Sequence, residues 1–207
     1  MNMLKDIRII ACIAALAIVT AQAQAQETTA VVGKPAPEFT ATDSAGKTRT
    51  LAEFKGKLVV LEWVNYDCPF VKKHYGADAM QALQRKYTEQ GVVWLSINSS
   101  ASGKQGNYPA EKWAELVAER KAAPTAVLLD TDGKVGRLYG AKTTPHMFIV
   151  NAEGTLIYAG AIDNNPSPDP ATLKDAVNYV AKALDAALAG KPVETATSAS
   201  YGCSVKY

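Results

Sequence analysis

Long apolar runs along the chain predict strands that are buried in the middle of a sheet. Residues 58–64, 92–97 and 126–129 are almost continuously apolar, with valine and leucine prominent. Because helices cover both faces of a sheet built from parallel strands, such strands read as uninterrupted apolar runs. We therefore expect these three segments to form the centre of one sheet.

Two hairpins are predicted at the edges of that sheet. Alternating residues at 39–42 lead into a turn at 44–47, and the chain returns over 48–51. A second pair of short strands, 146–150 and 155–159, is separated by a turn that contains glycine. Short runs on either side of such turns are typical of antiparallel hairpins.

Helices are predicted between and after the strands. One extends over residues 69–90, with apolar residues at four-residue spacing, and Gly91 ends it. A second passes through Trp113 and Leu116, and a third covers residues 171–189. This order of elements predicts an α/β fold with a mixed central sheet and helices on both faces. It is the thioredoxin-like topology, here with an N-terminal β-hairpin extension and a C-terminal tail.

The N-terminus carries the features of a secretory signal peptide. Lys5 and Arg8 precede an apolar run over residues 9–19, and small residues alternate with glutamine at 21–25. The run is shorter than the roughly 20 apolar residues that cross a bilayer as a helix. We therefore predict a cleaved signal peptide over residues 1–25, an exported, periplasmic or extracytoplasmic protein, and no membrane span in the mature form.

One domain is expected after the signal peptide. We predict a thioredoxin-like domain over residues 31–190 and a polar tail over 191–207, which carries Cys203. The formal net charge is only +2, and no basic run occurs, so nothing favours nucleic acid as a partner. Loss of the signal peptide removes Cys12 and leaves two cysteines. Two are too few to staple a scaffold, but in an oxidising compartment they are suited to pairing.

Cys68 occupies a position that favours a reactive thiolate. It follows a predicted buried strand and precedes Pro69, and proline is favoured at the first position of a helix. Free backbone amides and the positive end of the helix dipole would then stabilise a negative charge on the sulfur. Lys72, Lys73 and His74 follow about one turn along. Such settings lower a cysteine pKa to about 3.5 to 7.5, so we predict that Cys68 is the nucleophile.

Four stretches of the sequence resemble a known family. They are GKPAPEF at 33–39, FKGKLVVL at 54–61, DCPFVKKHY at 67–75 and YGCSVKY at 201–207. The first two resemble the opening of the redoxin family, which includes alkyl hydroperoxide reductase and thiol-specific antioxidant proteins. The last two resemble its exported, peroxiredoxin-like branch. The resemblance implies a thiol-dependent oxidoreductase of the thioredoxin superfamily that acts by disulfide exchange or, as an antioxidant, by peroxide reduction.

The chain departs from the family patterns near Cys68. Thioredoxins have a second cysteine three residues after the first, where this chain has Val71. Peroxiredoxins have Pro-x-x-x-Thr-x-x-Cys, and here Leu61 and Asn65 stand at the Pro and Thr positions. The Asn65 amide can still donate a hydrogen bond to a thiolate or a peroxide. The peroxiredoxin arginine is replaced by Pro145, so the sequence favours disulfide exchange over peroxide reduction.

Two further site predictions come from the resemblance. Thr144 and Pro145 match the loop whose cis-proline faces the reactive cysteine in thioredoxin folds, which implies that the Thr144 backbone pairs with an incoming thiol or peptide. Glu62 stands six residues before Cys68, where thioredoxin has a buried, proton-handling carboxylate. A buried carboxylate has a raised pKa and can transfer protons. A structural role for Glu62 is equally open, because the pattern does not fix the direction of its side chain.

Cys203 is the candidate resolving thiol. An extended chain spans about 3.3 to 3.6 Å per residue, so the segment from Gly190 to Cys203 can bring this thiol to Cys68 of its own chain or of a neighbour. We predict that Cys68 attacks a disulfide of a partner protein or a peroxide, and that Cys203 then forms a disulfide with Cys68. An external reductant would restore both thiols, and no cofactor is predicted.

The sequence leaves two other functions open. Cys68, Cys203, His74 and His146 offer the sulfur and imidazole ligands that copper or zinc prefers. The positive charge of the lysine pair 72–73 disfavours a bound cation there. Such a pair on a helix is typical of a solvated face, and His74 is expected at the surface. A redox-inert binding module is the other alternative, supported by the missing second cysteine of the thioredoxin motif. An unreactive Cys68 of high pKa would establish it.

Overall fold

The computed structural model describes residues 30–207. The predicted signal peptide over residues 1–25 therefore lies outside the described residues. Within residues 30–207, no helix combines the length and the apolar character needed to span a membrane.

A seven-stranded mixed sheet forms the centre of the fold. Its strands are β1 (Thr40–Asp43), β2 (Thr48–Thr50), β3 (Val59–Trp63), β4 (Val93–Asn98), β5 (Ala126–Leu129), β7 (His146–Val150) and β8 (Leu156–Gly160). In space they follow the order β2-β1-β5-β4-β3-β7-β8. Strands β3, β4 and β5 are parallel, and β1 and β7 flank them in the antiparallel direction. The three apolar runs thus form adjacent central strands, and both predicted hairpins are confirmed.

Five α-helices and two short strands complete the described part of the chain. They are α1 (Pro69–Gly76), α2 (Ala79–Thr88), α3 (Ala110–Glu119), α4 (Lys134–Tyr139), α5 (Tyr179–Leu188), β6 (Thr143–Thr144) and β9 (Cys203–Ser204). Helices α1, α2, α3 and α5 pack against one face of the sheet. Helix α4 and the N-terminal segment pack against the other face. The predicted coverage of both faces is therefore confirmed.

The single helix predicted over residues 69–90 is wrong, because α1 and α2 are separate. Asp78 between them has φ 56°, in the left-handed region that interrupts a helix. The Gln81 side chain donates a hydrogen bond of 2.8 Å to the Tyr75 carbonyl. This bond adds a side-chain donor to a carbonyl at the end of α1 that also accepts from the Asp78 amide at 3.4 Å.

The predicted start of the last helix is also wrong, because α5 begins at Tyr179. Residues Pro170–Asp175 form a 3-10 segment instead. The Asn178 side chain accepts a hydrogen bond of 2.8 Å from the Ala181 amide, and asparagine at such a cap favours a helix start. The sequence interpretation did not include the short helix α4.

The C-terminal tail packs along the domain. The Ala159 amide at the edge of β8 donates to the Ala196 carbonyl (3.1 Å), and the Ser198 amide donates to the Ala159 carbonyl (3.2 Å). Strand β9 then pairs with β6. Farther along, the Tyr207 hydroxyl donates to the Ala141 carbonyl at 2.8 Å. The tail therefore follows a fixed course that leads past Cys68.

Candidate active site

Cys68 is the residue immediately before α1, as predicted. Its backbone is extended (φ −70°, ψ 127°), and Pro69 is the first helical residue. The Cys68 amide donates to the Asn65 carbonyl at 3.0 Å, which closes the turn between β3 and α1. Since β3 is central and buried along its whole length, this turn holds the thiol at the end of a fully buried central strand. The Cys68 side chain is completely buried.

The loop before β7 faces the Cys68 sulfur. The Thr144–Pro145 peptide bond is cis, as expected from the resemblance. The protonated Cys68 thiol donates to the Thr144 carbonyl, with 3.0 Å between sulfur and oxygen. The Thr144 hydroxyl is buried and lacks a well-formed hydrogen bond, so it is available to a charged sulfur. Thr144 thus offers an acceptor to the thiol and a donor to the thiolate.

Strand β9 brings Cys203 of the same chain to Cys68. Cys203 lies opposite Thr144 in the antiparallel pair with β6, and Ser204 lies opposite Thr143. The Cys203 thiol is half-buried and, like Cys68, free. Because the carbonyl of Thr144 lies 3.0 Å from the Cys68 sulfur, the pairing with β6 places Cys203 beside Cys68. The sequence allowed the two cysteines to meet within one chain or between two chains, and this fold brings them together within one chain.

The environment shifts the pKa values of the two thiols in opposite directions. Burial raises the pKa of Cys68, but hydrogen bonds from the thiol and backbone amide of Cys203 and from the Val71 amide outweigh it, and the net shift is downward. Burial and the interaction with Cys68 raise the pKa of Cys203 to about 11. The arrangement therefore favours a Cys68 thiolate that is stabilised by a protonated Cys203. Such a pair titrates as a unit.

Asn65 supports the loop rather than contacting the sulfur. Its side-chain oxygen accepts from the Asp67 amide at 3.0 Å, and its side-chain nitrogen donates to the Gln105 carbonyl at 3.2 Å. Gly106 packs so closely on the Asn65 amide that a β-carbon there would collide with it. The predicted donation from Asn65 to a thiolate or peroxide stays a prediction, and only its second amide hydrogen is free to make it.

Glu62 points to the same face of the sheet as Cys68, into the core formed with α1, α2, α3 and α5. Its fully buried carboxylate accepts hydrogen bonds from four side chains: Tyr75 (2.8 Å), Gln84 (3.2 Å), Trp94 (2.7 Å) and Ser96 (3.0 Å). Burial raises the pKa of Glu62, and these four hydrogen bonds only partly offset the rise. The structure thus fixes the direction that the sequence left open. It also ties Glu62 to the helix that carries Cys68, through Tyr75.

A buried polar cluster beside α1 was missed by the sequence interpretation. The expectation of a solvated lysine face is wrong for Lys73, and the expectation of a surface position is wrong for His74, since each is only 1% exposed. Both lie near Asp163 and Tyr201. An aromatic residue two positions before Cys203, in an otherwise polar tail, was the available signal for this cluster.

The histidines are placed away from a shared metal site. His74 Nε2 lies 3.2 Å from the Tyr201 hydroxyl, whereas His146 Nδ1 accepts a hydrogen bond from the Lys142 amide at 3.2 Å. Among residues 30–207, no three His, Cys, Asp or Glu side chains are grouped so as to hold an ion. Burial lowers the pKa of each histidine to about 4, so both rings are neutral near pH 7.

Comparisons with known proteins agree with this geometry. The AhpC/TSA family profile matches residues 32–159. A thiol-disulfide oxidoreductase ResA of Bacillus thuringiensis subsp. konkukian is 27% identical over 126 residues, which cover 61% of this chain and 67% of that protein.

Solved structures share the fold. A hypothetical protein of Sinorhizobium meliloti superimposes with a TM-score of 0.75 at 28% identity, over 87% of this chain and 96% of that one. A putative thiol:disulfide interchange protein DsbE of Chlorobium tepidum superimposes with a TM-score of 0.51 at 23% identity, over 63% and 85% of the two chains. The second likeness confirms the thioredoxin-like fold.

Proposed function

Because the chain belongs to the AhpC/TSA family, a family of thiol-dependent oxidoreductases, we propose that it is an exported thiol–disulfide oxidoreductase with Cys68 as nucleophile and Cys203 as resolving thiol. One observation carries this proposal. Strand β9 places Cys203 opposite Thr144, and the carbonyl of Thr144 lies 3.0 Å from the Cys68 sulfur, so both cysteines meet at one residue. The second cysteine that the motif lacks at Val71 is thereby supplied from the tail.

The first step of the proposed reaction uses the thiolate of Cys68. It attacks one sulfur of a substrate disulfide and forms a mixed disulfide, while the other substrate sulfur leaves as a thiolate and takes a proton. The lowered pKa of Cys68 increases the fraction of thiolate at neutral pH. The Thr144 carbonyl contacts this sulfur at 3.0 Å, and the hydroxyl of the same residue, which is buried without a partner among residues 30–207, is the donor that would stabilise its charge.

The second step uses Cys203. Its thiolate attacks the Cys68 sulfur, the Cys68–Cys203 disulfide forms, and the second substrate thiol is released. Its high pKa in the dithiol state has burial as its largest cause and the interaction with Cys68 as the next. Once Cys68 is part of a mixed disulfide it carries no charge, so that second cause disappears and Cys203 loses its proton more readily. The protein gives two electrons to the substrate, and an external dithiol reductant returns them.

Four other residues have supporting roles in this proposal. Pro145 and Thr144 shape the loop against which the sulfur of the substrate would lie. Asn65 holds the turn before Cys68 through hydrogen bonds of its side chain with the Asp67 amide and the Gln105 carbonyl. Glu62 is a buried carboxyl group that is hydrogen-bonded to Tyr75 of α1, and its raised pKa suits a group that accepts and returns protons.

Mass analysis after exposure to an oxidant tests the proposal. The reduced protein, without the signal peptide, is mixed with one equivalent of oxidised glutathione or hydrogen peroxide, quenched with an alkylating reagent and weighed intact. We expect oxidised glutathione to remove two hydrogens rapidly through the Cys68–Cys203 disulfide, and peroxide to do so slowly. The Cys203→Ser variant should stop at a glutathione adduct on Cys68, whereas Cys68→Ser should form neither product quickly.

Two results would overturn the proposal in different ways. Rapid disulfide formation with peroxide and slow formation with oxidised glutathione would identify a peroxidase, in which Cys68 becomes a sulfenic acid, water leaves, and Cys203 displaces a second water. A wild-type protein that reacts with neither oxidant would identify a redox-inert module.

A further inference from the structure

We infer that the Asp163 carboxylate anchors Tyr201, in a contact that we call the latch. Tyr201 is then a positioning residue that holds Cys203 next to Cys68. It also keeps the tail paired with β6, at the sheet edge where a partner would bind. The latch is defined by Lys73, His74, Asp163 and Tyr201. The role of the latch in the reaction rests on the proposed function, whereas the contacts that form it do not depend on that function.

The centre of the latch is the Asp163 carboxylate, which is 2% exposed. One of its oxygens accepts a hydrogen bond of 2.5 Å from the Tyr201 hydroxyl. Its other oxygen lies 3.4 Å from the Lys73 ammonium, which also donates to the Asn165 carbonyl at 2.7 Å. Because a carboxylate acceptor makes a hydrogen bond about twice as strong as a neutral one, this contact is a strong attachment for the tail.

The latch joins the two segments that carry the thiols. Lys73 and His74 belong to α1, which begins directly after Cys68. Tyr201 stands two residues before Cys203. His74 Nε2 lies 3.2 Å from the Tyr201 hydroxyl, and the Lys73 ammonium lies 5.5 Å from the centre of the Tyr201 ring. A side chain that bonds to this cluster therefore sets the position of the tail relative to the nucleophile.

Strand β9 needs such an anchor. It pairs with β6 over only two residues, and isolated short strand pairs are marginally stable in water. The ring of Tyr201 also packs against Phe70 of α1, with 5.9 Å between the ring centres. The buried cluster thus supplies the stability that the short pairing lacks.

The closed tail occupies the edge that a partner would use. Extended peptides bind by adding a strand to an open sheet edge, and at β6 that edge is already paired with β9. The tail also leaves Cys68 with no exposed surface. A protein disulfide can therefore reach Cys68 only when the tail has moved, and the latch sets how often it does.

The variant Tyr201→Phe tests the latch, because it removes the hydroxyl and keeps the ring. We expect iodoacetamide to alkylate Cys68 of the reduced protein about tenfold faster, since a lost hydrogen bond to a charged group changes an opening equilibrium by at least that factor. The alkylation rate is measured by peptide mass analysis at a pH high enough that the rate of each variant no longer rises with pH. Differences in the Cys68 pKa then do not contribute to the comparison. Hydrogen exchange of the Val205 amide, which donates to the Lys142 carbonyl at 3.1 Å, should rise by a similar factor.

Tyr139→Phe is the matched control. In wild type the Tyr139 hydroxyl donates to the Pro37 carbonyl at 2.7 Å, on the other face of the sheet. Loss of this hydroxyl should lower stability without changing the alkylation rate of Cys68 or the exchange rate of the Val205 amide. Equal rates in wild type and Tyr201→Phe, or equal changes in the two variants, would overturn the latch. A glutathione redox buffer tests the proposed function separately, because a latch that is closed in both the dithiol and the disulfide cancels from the equilibrium constant of the Cys68–Cys203 disulfide. If no disulfide forms in any variant, the proposed function fails while the alkylation and exchange rates still decide on the latch.

Discussion

Thr144 and Cys203 lie directly opposite each other in the antiparallel pair between β6 and β9. Thr144 also accepts a hydrogen bond from Cys68, so one residue contacts the nucleophile and pairs with the residue that carries the second thiol. The tail therefore reaches the sulfur along the route that a thioredoxin fold offers to its substrates. Four predictions follow from this arrangement and from the buried charges around it.

The first prediction concerns the ionisation of Cys68. The Cys203→Ala variant should have a higher Cys68 pKa than wild type, because the hydrogen bond from the Cys203 thiol is the largest contribution that lowers it. The measurement is the rate of Cys68 alkylation as a function of pH. A midpoint that does not move would show that the backbone amides of Val71 and Cys203, which the variant retains, set the ionisation without the Cys203 thiol.

The second prediction concerns the close approach of the tail. Gly202 has φ 135°, and a β-carbon there would collide with the Thr144 carbonyl. Gly202→Ala should displace β9 and slow formation of the Cys68–Cys203 disulfide by tenfold or more, as a loss of about 1.4 kcal/mol in the closed state implies. The rate is measured by intact mass after addition of oxidised glutathione.

Gly103→Ala is the control for this change. Gly103 also has a positive φ, of 75°, but nothing lies within 4 Å of the added β-carbon. It should carry a comparable backbone strain and leave the rate of disulfide formation unaltered. A similar slowing in both variants would contradict the role of contact with Thr144.

The third prediction concerns Glu62. Its folded pKa is raised, so the folded protein binds more protons than the unfolded chain from about pH 4.5 upward. The free energy of unfolding contributed by this group is therefore present at low pH and declines as pH rises through the folded pKa. Glu62→Gln does not titrate, so its disadvantage of about 1 to 3 kcal/mol at low pH should shrink as pH rises. Urea unfolding of both proteins at several pH values measures it, and a difference between them that does not change with pH would contradict the prediction.

The fourth prediction concerns His146, whose pKa is lowered to about 4 by burial and by Lys142. Between pH 6.5 and 4 the unfolded chain binds a proton that the folded protein does not, so acidification lowers the free energy of unfolding. The loss should be on the order of 3 kcal/mol for this residue. His146→Gln keeps an acceptor for the Lys142 amide and should flatten this part of the pH curve. An unchanged slope would show that another group causes it.

The sequence predicted those parts of the site that depend on neighbouring residues. Pro69 fixes the start of α1, so the position of Cys68 before the helix followed from local rules. The central strands followed in the same way from their uninterrupted apolar character. The meeting of Cys68 and Cys203 was allowed by reach alone, because nothing local states where a tail will settle.

The parts that failed depend on residues far apart in the chain. A lysine is normally solvated, and Lys73 is buried only because Asp163 and Asn165 arrive from the loop after β8. The break between α1 and α2 depends on Asp78 adopting a left-handed conformation, which aspartate tolerates but does not require. The direction of the Glu62 side chain depends on hydrogen bonds from Trp94 and Ser96 of β4, which are more than thirty residues away in the sequence.

The positions of the two cysteines also tie folding to electron transfer. A bond between Cys68 and Cys203 would enclose almost every element from α1 to the tail in a single covalent ring, and rings of more than a hundred residues restrict the unfolded chain by more than about 4 kcal/mol. By thermodynamic linkage, whatever the oxidised domain gains in resistance to unfolding is subtracted from its tendency to accept electrons. The dithiol form of this protein should accordingly be a strong electron donor, and the heat resistance of the domain should report its redox state.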